Sequence, residues 1–201
     1  MPDRFLERLA RCVSGLACFG LGITLFLQSH LGPPPWDVFH KGVSEKTDLS
    51  IGVVIIGTGV LLLLFWIPLR QRPGIGTILN AIEIGIVVNL TKTFVGEPDN
   101  VLVRFSMLLA GLVVIAFGSA LYIGAGLGPG PRDGLMMGLA ERGVSVRLAR
   151  TTLEIIVVIA GVLLGGSVGV GTVVFAIGIG PLVQWLLPRF DTRPVGQHTA
   201  H

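Results

Sequence analysis

The chain has 201 residues, of which 51% are hydrophobic and 13% are charged, whereas about 25% of residues are charged in an ordinary soluble domain. So few charges cannot cover the surface of a water-soluble protein of this size, which excludes a typical soluble enzyme, a disordered chain and a nucleic-acid binder. Two cysteines are too few for a disulfide scaffold. The composition predicts an integral membrane protein.

A membrane-spanning helix needs about 20 mainly apolar residues. Residues 155–188 carry no charge, and as one helix they would be about 51 Å long, so they are read as two spans joined at glycines. In chain order, the predicted spans are residues 10–29, 51–69, 75–93, 105–126, 149–165 and 171–188. The predicted fold class is an all-α integral membrane protein with six transmembrane helices.

The basic residues indicate how these spans are oriented. With the N-terminus inside, the cytoplasmic segments hold eleven of the fifteen lysine and arginine residues, in agreement with the positive-inside rule. Both termini are therefore expected in the cytoplasm. Residues 191–201 are polar and are expected to form a disordered cytoplasmic tail.

Two short motifs occur twice in the chain. Residues 31–37 match residues 127–133 at an offset of 96, and residues 74–77 match residues 169–172 at an offset of 95. Glycine, proline and aspartate at fixed spacing are stronger evidence of an internal repeat than matched aliphatic residues are. We refer to the first pair as the Gly-Pro segments and to the second pair as the Gly-x-Gly-Thr segments.

The repeat divides a single membrane domain, residues 1–201, into two copies at 15–94 and 111–190. Each copy holds three spans, which is an odd number, so the second copy enters the bilayer from the opposite side. Such inverted-topology repeats recur in secondary transporters, where exchanging the conformations of the two halves gives alternating access.

These motifs resemble the YczE/YitT-type family of bacterial integral membrane proteins. The resemblance covers residues 10–190, and it is strongest in four stretches: 31–42, 74–80, 121–134 and 168–172. It implies a bacterial plasma-membrane protein and brings no settled activity. The first Gly-Pro segment departs from the second in having Pro34 where the second has Gly130, which predicts a stiffer first turn.

The Gly-Pro segments are predicted to break one helix and begin another, because glycine permits a sharp turn and proline cannot continue a helix. Pro35 and Pro131 suit the first turn of the new helix, which places Asp37 and Asp133 near its N-terminus. The segment 36–45 is too short to span, so it is either a re-entrant half-helix or a helix lying in the interface. The helix-break and gate candidates here are Gly32, Pro33, Pro35, Gly128, Pro129 and Pro131.

The Gly-x-Gly-Thr segments open the third span of each repeat. Close packing of backbones explains them better than phosphate binding, and the threonine can satisfy a helix-end N–H. Topology places 74–77 with 128–133 on the cytoplasmic side and 32–37 with 169–172 on the outer side, as two symmetric gates would require. The gate candidates here are Gly76, Thr77, Gly171 and Thr172.

Two acidic residues fall within predicted spans, where an unpaired charge is costly. Glu154 follows Arg150 by four residues, so a local ion pair is expected. Asn80 and Glu83 lie three residues apart on one helical face, and neither recurs in the second repeat. This broken symmetry predicts that Glu83 carries a coupling proton.

The resulting functional hypothesis is a small-solute or ion transporter, with Asp37, Asn80, Glu83 and Asp133 along the substrate or ion pathway. The alternative is a non-transporting scaffold or accessory protein for another membrane or biosynthetic system. No catalytic constellation or metal-ligand cluster is recognisable, so we expect no enzyme activity, no cofactor and no metal. Expected partners are the lipid bilayer, a small solute or ion and a second copy of the chain, but not nucleic acid.

Overall fold

The computed structural model describes residues 4–49 and 51–192, and this part of the chain consists of eight α-helices without a β-strand. The helices are α1 (Phe5–Gln28), α2 (Pro35–Thr47), α3 (Ile51–Leu69), α4 (Ile75–Thr91), α5 (Val101–Gly124), α6 (Pro131–Ala140), α7 (Val146–Leu163) and α8 (Val170–Phe190). The predicted all-helical class is confirmed.

Sequence signals explain where several helices begin and end. Asn100 caps α5 by accepting a hydrogen bond from the N–H of Leu102 at 2.8 Å, and Ser145 caps α7 through the N–H of Leu148 at 3.2 Å. Asp48 ends α2 in the left-handed conformation. Proline occupies the first turn of α2 and of α6, where its missing N–H costs nothing.

Within the described residues, three helices are long and apolar enough to cross a membrane: α1, α5 and α8. The apolar parts of α3 and α4 are shorter. The helix α7 carries Arg150 and Glu154 in its first half, and both side chains are buried inside the protein.

The helices α1 and α5 form the centre of the molecule and pack in antiparallel directions. A Cβ atom on Gly15 would lie 2.6 Å from the amide nitrogen of Tyr122, and one on Gly22 would lie 2.8 Å from that of Ile115. Gly118 likewise meets Gly15, where the added atom would lie 2.6 Å from the carbonyl oxygen. Small residues thus allow the two backbones to touch, as at many membrane helix interfaces.

The two halves of the chain interlock rather than lie side by side. Helix α3 packs on the short helix α6, and α7 packs on the short helix α2. The indole Nε1 of Trp66 donates to the carbonyl oxygen of Pro131 at 2.8 Å. On the other side, a Cβ atom on Gly161 would lie 2.7 Å from the amide nitrogen of Phe39. Each short helix is therefore held by a long helix of the other half.

The described chain ends just after α8. The backbone N–H and the hydroxyl of Thr192 both donate to the carbonyl oxygen of Gly124, at 2.9 and 2.8 Å. Thr192, the second residue of the expected tail, is therefore held at the end of α5. The remainder of that expected tail, 193–201, lies outside the described residues.

Candidate functional site

One Gly-Pro segment docks on one Gly-x-Gly-Thr segment at the start of α4. The N–H of Gly76 donates to the carbonyl oxygen of Leu127 at 2.8 Å, and the hydroxyl of Thr77 donates to that of Pro129 at 2.7 Å. The same hydroxyl accepts from the N–H of Gly74 at 3.1 Å. Thr77 therefore caps its own helix and holds the Gly-Pro segment.

The other pair of segments makes the same contacts at the start of α8. The N–H of Gly171 donates to the carbonyl oxygen of Leu31 at 2.8 Å, and the hydroxyl of Thr172 donates to that of Pro33 at 2.7 Å. Thr172 also accepts from the N–H of Gly169 at 3.2 Å. The pairing of segments expected from the sequence, and the capping role expected for the threonines, are confirmed.

Both docking contacts require glycine. Gly32 has a φ of 125° and Gly128 has a φ of 108°, in the region that L side chains rarely adopt. A Cβ atom on Gly32 would lie 2.6 Å from the Cα of Gly169, and one on Gly128 would lie 2.8 Å from the amide nitrogen of Gly74. Backbone thus packs directly on backbone at each contact.

The two aspartates occupy equivalent places, since Asp37 lies in the first turn of α2 and Asp133 in the first turn of α6. The expected helix starts at Pro35 and Pro131 are confirmed. The environments of the two carboxylates are nevertheless different.

Asp133 is completely buried. The hydroxyl of Tyr122 donates to one carboxylate oxygen, and a guanidinium nitrogen of Arg150 donates to the other. The Tyr122 hydroxyl in turn accepts from the N–H of Gly130 at 3.2 Å. A buried carboxylate needs such partners, because its own charge is expensive to remove from water.

Arg150 also pairs with Glu154, whose Oε1 lies 3.0 Å from its Nε. The expected pair is therefore confirmed, as an ion pair without hydrogen-bond alignment at Nε. The second oxygen of Glu154 and one terminal nitrogen of Arg150 have no hydrogen-bond partner among the described residues. We call Tyr122, Asp133, Arg150 and Glu154 the buried charge cluster.

Asp37 belongs to no such cluster. Its side chain is 45% exposed, and the nearest basic group is the imidazole of His40, with Nδ1 3.9 Å from the carboxylate. It accepts no hydrogen bond from the described part of the chain. Asp37 instead lines a cavity of about 280 Å³ inside the helical bundle.

This central cavity is built by both halves of the chain. Asp37 of α2 and Arg132 of α6 bring opposite charges to it. Phe19 and Ile115, just past the middle of α1 and α5, place it at mid-depth in the bundle, and it also borders the exposed residues Gly85 and Asn89. Its other lining residues include Ile23, Pro34, Val88 and Phe175.

Two further clefts lie at the docking contacts. One has a volume of about 410 Å³ and borders Gly74 and Gly128. The other has a volume of about 420 Å³ and borders Gly32 and Pro33. Leu27 lines both this second cleft and the central cavity.

The remaining pathway candidates lie on α4 and are not brought to Asp37. The amide of Asn80 packs on Gly130, where an added Cβ atom would lie 2.6 Å from its Oδ1. Glu83 is half-buried and lines neither the central cavity nor the two clefts. The four candidate residues thus occupy separate places, with Asp133 in the buried charge cluster.

Sequence reasoning missed three polar residues that the structure makes prominent. Tyr122 is the only tyrosine of the chain, and a lone tyrosine hydroxyl within an apolar run is a signal for a buried polar partner. The local spacing predicts only the Glu154 partner of Arg150, although a buried arginine beside one acid can bind a second. Arg132, next to Asp133, lies at a position that differs between the two Gly-Pro segments, with Trp36 at the equivalent place in the first.

Comparisons with known proteins agree with this description. The chain matches a family of unknown function, DUF6198, over residues 6–188. The chain belongs to this family. It is also 32% identical over 192 residues to the uncharacterized membrane protein YczE of Bacillus subtilis, covering 94% of this chain and 89% of that one. The resemblance to the YczE-type family is confirmed.

Two other proteins are similar to the chain in sequence. An uncharacterized protein of Haemophilus influenzae is 40% identical over 173 residues, which cover 86% of this chain and 79% of the relative. The uncharacterized protein YyaS of Bacillus subtilis is 27% identical over 181 residues, covering 87% and 89%. No solved structure matches the chain. Family membership and the apolar helices together identify a membrane protein of the YczE family.

Proposed function

We propose that the chain is a small-solute or ion permease of the bacterial plasma membrane, with six spans in two inverted repeats and both termini in the cytoplasm. The observation that carries the proposal is the central cavity. It lies at mid-depth in the helical bundle, is lined by both halves, and places Asp37, Arg132 and Asn89 among apolar residues. Charged side chains inside a membrane bundle typically mark a substrate or ion pathway.

The helix lengths support six spans. The helices α3, α4 and α7 have 19, 17 and 18 residues, which corresponds to about 26–29 Å, close to the roughly 30 Å hydrocarbon core. The charges on α7 do not contradict a span, because Arg150 and Glu154 face the protein interior and pair there. The short helices α2 and α6 are too short to cross.

The paired docking contacts support an inverted repeat. Because α1 and α5 are antiparallel, the Gly-Pro segments that follow them lie at opposite ends of the bundle. Each segment binds the start of α4 or α8 through the same two hydrogen bonds. A single neutral hydrogen bond contributes only about 1 kcal/mol, so these contacts are suited to open and close in turn.

Reconstitution tests transport directly. Purified protein in liposomes is expected to carry at least one solute from a panel of small organic anions, cations and amino acids. Val88→Trp, which fills the central cavity, should abolish that flux. Ile86→Trp on the same helix should preserve it, because Ile86 is 60% exposed and outside the cavity. Folded protein that carries no solute above empty liposomes would favour the scaffold alternative.

Site-directed labelling tests the topology. After replacement of Cys12 and Cys18, a cysteine at Gly96 and one at Arg142 should react with a membrane-impermeant maleimide from opposite sides of the bilayer. Both positions are exposed. Reaction from the same side would refute the inverted arrangement.

Glu83 is proposed as the proton carrier of this permease. It is half-buried on α4, where it is the only charged residue of the helix, and it makes no ion pair with the described residues. Glu83→Gln should fold normally and remove the pH dependence of flux. Glu97→Gln, on an exposed loop, is the control and should keep it. Unchanged pH dependence in Glu83→Gln would refute the role.

A further inference from the structure

We propose that the central cavity binds a small zwitterion, with the carboxylate held by Arg132 and the ammonium group held by Asp37. This inference names the substrate class of the proposed permease and rests on that function. It follows from the charges of the two residues, from their lack of hydrogen-bond partners among the described residues, and from the size and lining of the cavity that they share.

Arg132 offers an unused recognition group. Its guanidinium lies 5.2 Å from the centre of the Phe19 ring, and it makes no ion pair or hydrogen bond with the described residues. A guanidinium stays charged at any physiological pH and presents planar donors that match the two oxygens of a carboxylate. A bound carboxylate would supply a direct partner for this charge, which otherwise acts only at a distance on Tyr122 and Glu154.

Asp37 offers the complementary group. Its carboxylate lines the same cavity, and the contact of 3.9 Å to His40 is too long for a hydrogen bond. An ammonium group carries three donors and would satisfy this carboxylate. The amide of Asn89, which also lines the cavity, can add a hydrogen bond to either end of the ligand.

The two charges do not neutralise each other directly. No ion pair within 4.0 Å joins Asp37 to Arg132 in the part of the chain that the structure describes. The two charged groups therefore line the same cavity without contacting each other, and a ligand that carries both charges can pair with each of them. A lone anion would leave Asp37 without a direct partner, and a lone cation would do the same to Arg132.

The size and the apolar lining of the central cavity limit the part of the ligand that lies between its two charged groups. The volume of about 280 Å³ is below the range of about 300–1,000 Å³ typical of pockets for drug-sized ligands. Phe19, Ile23, Ile115 and Phe175 make the remaining walls apolar. The site thus fits a small amino acid with an apolar body rather than a peptide or a multiply charged solute.

Binding is measured on the full chain in lipid nanodiscs by isothermal titration calorimetry. The probes are alanine, leucine and γ-aminobutyrate, compared with propionate and ethylamine, which each keep one charge. At least one zwitterion should bind, and both singly charged analogues should bind at least tenfold more weakly. Equal or tighter binding of a singly charged analogue would overturn the proposal, as would absence of zwitterion binding.

Variants locate the site. Arg132→Gln and Asp37→Asn should each weaken zwitterion binding at least tenfold, whereas Arg132→Lys should recover part of the affinity. Lys92→Gln, in the neighbouring cleft, is the matched control and should bind as the unmodified protein does. Unchanged affinity in folded Arg132→Gln or Asp37→Asn would refute the assignment.

Flux measurements separate this inference from the proposed function. Zwitterion binding without flux of any solute would overturn the permease and leave the binding site standing. Flux of a singly charged ion without zwitterion binding would overturn the substrate class and leave the permease standing.

Discussion

Asp37 and Asp133 begin equivalent helices in the two halves, yet one carboxylate lines a cavity and the other is locked in a buried charge cluster. The difference arises from the neighbours. At the position equivalent to Tyr122, the first half has Phe26, which has no hydroxyl, and at that of Arg150 it has Ile55, which has no charge. Two equivalent helix starts therefore place one carboxylate in a buried, paired environment and leave the other at a cavity wall.

Removing the arginine of the cluster is expected to have the largest effect on stability. Arg150→Met leaves the buried Asp133 and Glu154 without a counter-charge, which should cost about 3–5 kcal/mol. Unfolding in detergent micelles, followed by circular dichroism, measures the loss. Arg147→Gln, an exposed change on the same helix, should stay within about 0.5 kcal/mol. Similar stability of the two variants would show that the cluster is not needed.

The two aspartates can be compared directly by the same substitution. Asp133→Asn weakens the hydrogen bonds to a charged, buried group and should cost about 1.5–3 kcal/mol. Asp37→Asn, at a half-exposed side chain without a close partner, should change the free energy of unfolding by less than about 0.5 kcal/mol. Equal losses would contradict the contrast between the halves.

The docking contacts should respond alike, because there the halves are the same. Gly32→Ala and Gly128→Ala force a side chain into a left-handed conformation and against backbone, at a cost of about 1–3 kcal/mol each. Gly57→Ala is the control, since an added Cβ atom there meets nothing within 4 Å. It should be neutral or slightly stabilising. Strongly unequal losses at the two docking glycines would show that one contact is dispensable.

The smallest expected effect is at the docking threonines. Thr77→Val and Thr172→Val each remove a hydroxyl that donates to a proline carbonyl at 2.7 Å, and each should cost about 0.5–1.5 kcal/mol. Thermal unfolding of both variants measures the two losses side by side. Ser106→Ala, whose exposed hydroxyl bonds only within its own helix, is the control and should lose less than either.

Local signals in the sequence were sufficient for the helices and for the docking contacts. The proline and glycine of each Gly-Pro segment end one helix and begin the next, which depends on backbone geometry alone, and α3 begins and ends where predicted. Pairing of the segments followed from the offset between the repeats together with the charge bias of the loops.

The sites were harder to predict because they depend on contacts between distant segments. Arg150 reaches Asp133 across 17 residues, and this contact exists only because α7 packs beside α6. The charge of Arg132 is adjacent to Asp133 in sequence, but the two side chains point to different places. The hydrophobic periodicity of the sequence does not indicate that the two side chains point in different directions. The role of Glu83 is predicted from its absence in the second repeat, and this broken symmetry does not give the position of the side chain in the fold.

The interlocking of the halves has a consequence for synthesis at the ribosome. The carbonyl oxygen of Pro33 receives its hydrogen bond from Thr172, which lies 139 residues later. At about 5–20 residues per second, the first Gly-Pro segment waits roughly 7–28 s for that partner to be translated. Until then the carbonyl oxygen of Pro33 lacks this donor. A chain that ends before α8 is therefore expected to leave the first Gly-Pro segment without its docking partner.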